Sequence, residues 1–142
     1  MPRLFIVDTN VLAAGLMTRE AASPTARILT AMLDGRIAFL LSPALLHEYR
    51  TVLLRPKLQR IHGLTSAQLD TVLTDIVANA MWREPLPDAL HAASDPGDGH
   101  LWALLAQEPA AILVTGDRLL LESPRPGSLA IPPAQCLSLM PA

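Results

Sequence analysis

Apolar residues in this chain gather into short unbroken runs separated by longer stretches of helical character. Leu4-Phe5-Ile6-Val7, Ile37-Ala38-Phe39-Leu40-Leu41 and Ala111-Ile112-Leu113-Val114 are such runs. Apolar at every position rather than alternate ones, they predict strands buried on both faces, as in a parallel sheet. After Asp8-Thr9-Asn10, the segment Val11 to Met17 reads as a helix. Ser23-Pro24 is a helix start, with a serine cap and proline in the first turn, and that helix runs to about Asp34 before Gly35 ends it. Ser42-Pro43 repeats the signal and opens a helix through about Leu54, which Pro56 breaks. Ser66 is expected to cap a helix over 67–79, and Ala80-Met81-Trp82 to form a third strand. Residues 84–99, rich in Pro, Asp and Gly, read as a loop. A helix over 100–107, the strand at 111–114, a turn at 115–117, a short helix over 119–122, a loop at 124–127 and a last strand near 128–131 complete the pattern. This alternation predicts an α/β fold with a central parallel sheet and helices on both faces.

A length of 142 residues suits one domain, 1–142, with a real core. The chain is 51% hydrophobic and 17% charged, with a mean hydropathy of +0.34. Two readings of that bias stand side by side: an Ala- and Leu-rich core, or apolar surface left over for a dimer face or partner groove. No stretch approaches the ~18 consecutive apolar residues of a membrane helix. Met1-Pro2-Arg3-Leu4 leads directly into the first strand without the features of a signal peptide. The lone Cys136 has no disulfide partner and sits in an apolar segment as a core residue, so a cytoplasmic location is expected. The net charge of −2 supplies no global basic field. A nucleic-acid binder of this composition needs a local basic patch, and metal ions to offset its acids.

Chemistry in an open α/β sheet gathers beyond the carboxyl ends of the strands. Asp8 follows the first strand, Glu48 lies two turns into the helix after the second, Asp95 and Asp98 precede the helix leading to the fourth, and Asp117 closes the turn after it. In a parallel sheet these acids converge on one edge. Converging carboxylates repel unless a cation sits between them, and hard divalent ions prefer such oxygen ligands. A metal so held can activate water and stabilise charge building on a phosphodiester. Each acid also has a local explanation. Asp8, Asp98 and Asp117 each stand where they could cap a following helix, and Asp95 lies in a turn-forming segment. Glu48 shares a helix face with Leu45 and Val52, which places its carboxylate at or near the core.

Four segments resemble the PIN-domain nucleases. Val7-Asp8-Thr9-Asn10-Val11-Leu12 is similar to the family's opening motif. Glu48 in Leu45-Leu46-His47-Glu48-Tyr49, followed by Arg55-Pro56-Lys57, is similar to the second motif of a bacterial branch; Ser94-Asp95-Pro96-Gly97-Asp98 and Leu113-Val114-Thr115-Gly116-Asp117 resemble its later segments. The matches fall in the family's order and span most of the chain. The resemblance implies a Rossmann-like three-layer sandwich and an endoribonuclease dependent on Mg²⁺ or Mn²⁺. The branch includes VapC-like toxins of toxin–antitoxin pairs, often dimeric and held inactive by a small antitoxin. Carried over by position, Asp8, Glu48, Asp98 and Asp117 are the catalytic acids, with Asp95 a further candidate metal ligand. The branch usually continues its third segment with another acid where this chain has Gly99. Either Asp98 or Asp95 serves from a neighbouring position, or the metal site is depleted and the domain is a weak or inactive module that binds RNA or protein.

Thr9, Asn10 and Thr115 are expected to orient carboxylates or metal-bound water. Arg55, Lys57, Arg60 and His62 form a local basic stretch, and Arg118 adjoins Asp117; these are candidate phosphate contacts or else a solvated surface. Trp82 and Trp102 read as core. His47, His62, His91 and His100 lack metal-ligand spacing, and none is assigned a catalytic role. A phosphoaspartyl phosphatase needs a second Asp where this chain has Asn10, and no Gly-rich loop after the first strand supports nucleotide-cofactor binding.

Overall fold

A computed structural model describes residues 3–141; Met1 and Pro2, read as leading into the first strand, lie outside the described residues. Five strands form one sheet: β1 (Leu4–Val7), β2 (Ala38–Leu41), β3 (Met81–Trp82), β4 (Ile112–Val114) and β5 (Leu129–Ile131), in the order β3-β2-β1-β4-β5. Every neighbouring pair is parallel, with Phe5 opposite Phe39 on one side and Ile112 on the other. Phe5, Ile6, Val7, Phe39, Leu40 and Leu41 are each at most 1% exposed, so the central strands are covered on both faces by helices.

The helices are α1 (Thr9–Met17), α2 (Pro24–Leu33), α3 (Pro43–Leu53), α4 (Pro56–His62), α5 (Ser66–Asn79), α6 (Gly99–Gln107), α7 (Arg118–Glu122) and α8 (Pro133–Leu139). Ser23 and Ser42 cap α2 and α3 with proline in the first turn, as the sequence predicts. α3 buries Leu45, Tyr49 and Leu53 along one stripe, and α5 buries Leu69, Leu73 and Ile76. α1 packs closely on α2 because Gly15 lacks a Cβ; one placed there would meet the Thr25 carbonyl oxygen at 2.7 Å.

Several expectations need correcting. Pro56 ends α3 but also opens α4, because proline at a first helical position loses no hydrogen bond. The cap of α5 is Thr65, not Ser66: Thr65 accepts from Gln68 N while Gln68 Oε1 accepts from Thr65 N, a reciprocal pair that outcompetes the neighbouring serine. A 3₁₀ turn over Pro96–Asp98 interrupts the expected loop. The apolar C-terminal segment forms α8, and Cys136 is buried there, its thiol pushed up to about 11 by burial. Trp82 is not core: it is 39% exposed on β3, with Nε1 donating to Glu84 Oε1. Trp102 is buried as expected.

The chain builds outward from β1 through β2 to β3, then returns to place β4 on the opposite side of β1. In open α/β sheets a crevice forms where the winding reverses, which here is beyond the carboxyl ends of β1 and β4.

Candidate active site

Asp8 stands at that crevice, one residue past β1. Its backbone N–H donates to Val114 O at 2.9 Å, which ties the end of β1 to the end of β4. Its carboxylate is nearly buried, at 6% exposed, and both oxygens are engaged: Oδ1 accepts from Thr9 N at 2.9 Å and Oδ2 from Thr115 Oγ1 at 2.7 Å. Asp8 therefore caps α1 and is also held by a side chain 107 residues away. Burial pushes its carboxyl above the usual range; the Thr115 and Thr9 hydrogen bonds oppose that, and the Glu48 and Asp117 carboxylates reinforce it.

Thr9 and Thr115 extend the arrangement. Thr9 Oγ1 donates to Glu48 Oε2, binding the first turn of α1 to α3. The Thr115 hydroxyl, which donates to Asp8, accepts from Asp117 N at 3.0 Å and so fixes the turn after β4. Beneath these groups lies Tyr49, fully buried, whose phenol donates to the carbonyl oxygen of Val7, the residue before Asp8. Burial and the nearby Asp8 and Glu48 carboxylates hold that phenol far above its ordinary range, so it remains a donor.

Asp98 precedes α6 without capping it through its side chain. Its carboxyl is pushed up to about 6, first by burial and then by the negative charges of Asp8, Asp95, Asp117 and Glu48. The field of all four acids thus reaches one half-buried carboxyl. Asp117 spends one oxygen capping α7, accepting from Leu119 N at 2.9 Å. Asp95 is exposed and accepts from Gly97 N at 2.9 Å, the turn-forming role considered for it. Among the described residues, no three His, Cys, Asp or Glu side chains close into a group able to hold a metal.

His100, given no role by the sequence, lies here: Nε2 is 3.5 Å from Glu48 Oε2, and neither ring nitrogen has a hydrogen-bond partner. The available signal was its place two residues after Asp98 at the start of a helix. Other expectations fare differently. Asn10 is exposed and its amide makes no hydrogen bond among the described residues. Arg55, Lys57 and Arg60 are exposed at the start of α4 and along it, with no ion pair among the described residues. His62 is structural: Nδ1 accepts from Leu64 N at 3.0 Å and Nε2 meets Leu53 O at 2.9 Å, so it braces α4 against α3. Arg118 pairs along α7 with Glu122 at 2.7 Å.

The raised carboxyls carry a pH signature. Asp98 holds its proton more tightly folded than unfolded, so its contribution to stability is complete below about pH 3.8 and lost as pH rises through about 6; Asp8 acts in the same direction. Metal-free protein is expected to melt at a higher temperature at pH 5 than at pH 7.5. Asp98→Asn should flatten that difference in a thermal-melt series. An unchanged profile in the variant would show that Asp98 does not feel the cluster.

The family model for the PIN domain matches residues 5–119 of this chain. The match runs from β1 through the first residues of α7, taking in Asp8, Glu48, Asp98 and Asp117. No curated protein matches the sequence.

Proposed function

The chain belongs to the PIN-domain family, whose members are generally nucleases, and on that premise we propose that it is a metal-dependent endoribonuclease with Asp8, Glu48, Asp98 and Asp117 as its acids. One observation carries the reading. A buried aspartate at the switch point of the sheet is held at both oxygens, while burial first and neighbouring carboxylates second push Asp98 up to about 6. Such crowding costs folding free energy, and divalent cations typical of PIN domains would relieve it.

The donor chemistry fits a hard ion. The crevice presents carboxylate oxygens and no thiolate, and Mg²⁺ or Mn²⁺ usually needs only one or two carboxylates beside water and substrate phosphate. Asp8, Asp98 and Asp117 would hold the ion, with Glu48 and Asp95 at its margin. When bound, it supplies an activated water and neutralises charge developing on the phosphodiester. Thr115 and Thr9 hold Asp8 and Glu48 against rotation, so little reorganisation is left for the reaction. His100 lies beside this pair, its Nε2 3.5 Å from Glu48 Oε2. Arg55, Lys57 and Arg60 remain candidates to draw in the RNA backbone, since nothing else in the described structure pairs with them.

Titration of Mn²⁺ followed by calorimetry, with cleavage assayed on mixed RNA and DNA pools, tests the reading. Saturable binding with RNA cleavage is the expected result. Binding without cleavage of RNA would overturn it. A toxin role under control of a small antitoxin, and self-association in the cytoplasm, belong to the same proposal. Leu86 and Leu90 support a protein partner, being 85% and 81% exposed on one loop.

Gly99, standing where the branch usually carries an acid, favours a second reading, a PIN-like module that binds without cutting. Gly99 separates the two. A Cβ there would meet nothing within 4 Å, and the backbone is already helical, so an acid fits without strain. Gly99→Asp should raise Mn²⁺ affinity by about ten-fold, a typical effect for one supporting group. Unchanged affinity would mean that Gly99 does not mark a missing ligand.

A further inference from the structure

Asp8 and Arg125 are the charged residues buried among the described residues, and the site described above leaves the second unexplained. Arg125 Nε donates to Asp88 Oδ2 at 2.7 Å and Nη2 to Oδ1 at 3.4 Å, a two-point pairing between side chains only 7% and 3% exposed. Asp88 Oδ1 also accepts from Leu90 N at 3.0 Å and His91 N at 3.3 Å. The Arg125 guanidinium, helped by those N–H groups, holds the Asp88 carboxyl down at about 2, so the pair stays charged at neutral pH.

The two partners belong to segments of opposite character. Arg125 is part of the frame: its carbonyl oxygen accepts from Ser128 N at 3.0 Å at the entrance to β5, and Ile131 O at the end of β5 accepts from Thr115 N at 3.0 Å. That frame carries Asp117. Asp88 lies instead within 84–94, a segment that makes no backbone-to-backbone hydrogen bond among the described residues. Packing secures the segment poorly as well. Leu86 and Leu90 point to solvent, and a cavity of about 800 Å³ separates Pro85, Pro87 and Ala92 from the starts of α3 and α6. Beyond its close neighbour Trp82, Arg125 supplies the segment's hydrogen bonds to the rest of the chain among the described residues. At its far end the segment runs into Asp95, which accepts from Gly97 N at Oδ1 and from Asp98 N at its carbonyl oxygen, each at 2.9 Å.

A buried ion pair adds little net stability, because desolvating two charges offsets their attraction; its better-attested use is to fix geometry. We infer that Asp88 and Arg125 are positioning residues: their pairing clamps the segment leading to Asp95 and Asp98 onto the frame carrying Asp117, and so sets the spacing of the acids. The inference rests on the nuclease reading above for what those acids do. Neither partner touches substrate in this role; both act through Asp98. The planar fork of arginine matters here, since one contact alone would leave the segment free to pivot.

The test is NMR relaxation of the full chain without metal, alongside Mn²⁺ calorimetry. In Arg125→Met the backbone order parameters at Gly97, Asp98 and Gly99 should fall from about 0.85 towards about 0.6, while Ile6 and Phe39 in the central strands stay rigid. Mn²⁺ affinity should fall by about ten-fold, the usual effect of losing a supporting group. Arg125→Lys, which keeps the charge but not the fork, should lose less on both measures. Arg125→Met leaves a buried carboxylate unpaired; should it fail to fold, Asp88→Asn, which retains an acceptor for Leu90 and His91, should loosen the same amides. Unchanged order parameters there in the folded variants would overturn the inference. So would loosening that extends to Ile6 and Phe39, the mark of a pair that only stabilises the fold. Local loosening in a protein whose wild type binds no Mn²⁺ would uphold the clamp and retire the metal-dependent nuclease reading.

Discussion

Asp8→Asn is expected to lower nuclease turnover by about a hundred- to a thousand-fold, the scale on which removing one preorganised electrostatic group acts. The variant should fold normally. Asparagine retains an oxygen to accept from Thr9 N, so the cap on α1 survives, and it removes a buried charge that Glu48 and Asp117 repel. Its thermal midpoint in metal-free buffer at pH 7.5 should match or exceed that of wild type, and added Mn²⁺ should raise it less than in wild type. Loss of activity with retained stability is the signature of a residue kept for function. Full turnover in a folded Asp8→Asn protein would remove the centre of the proposed site.

The largest loss of stability is expected at Tyr49, where two substitutions separate packing from hydrogen bonding. Tyr49→Ala leaves a ring-sized cavity under the crevice and should cost about 3–5 kcal/mol. Tyr49→Phe keeps the ring but deprives the Val7 carbonyl of its donor, at about 1–3 kcal/mol. Denaturant melts of both variants measure these costs. The Phe variant should also lose activity, because Val7 is the residue from which Asp8 projects. Tyr49→Phe with unchanged stability and turnover would show that the phenol does not brace the site.

His100 and Tyr49 show where sequence reading reached its limit. Glu48 drew attention because a carboxylate on an apolar helix face is unusual, and it does lie at the crevice. Tyr49, beside it, carries no such local signal, since its hydrogen bond to Val7 spans 42 residues. His100 has no spacing relation to another ligand; its pairing with Glu48 depends on how α6 lies against α3. His62 misled in the opposite direction. Its sequence neighbours are basic, but its ring is used to brace two helices.

The sequence by itself determined the strands, most helix starts and the acids at the strand ends. These depend on short-range physics: unbroken apolar runs, Ser-Pro starts, and turn residues whose preferences act within a few positions. Thr65 winning the cap from Ser66, and α8 forming in the apolar tail, lay close to that limit, because neighbouring residues compete within one turn. Only the tertiary structure decided the strand order, and with it the reversal between β1 and β4 that brings Thr115 to Asp8. It alone brought His100 at the start of α6 to within 3.5 Å of Glu48 on α3, two helices from distant parts of the chain. Those relations depend on long-range packing of the sheet and its helices, which no local pattern of residues encodes.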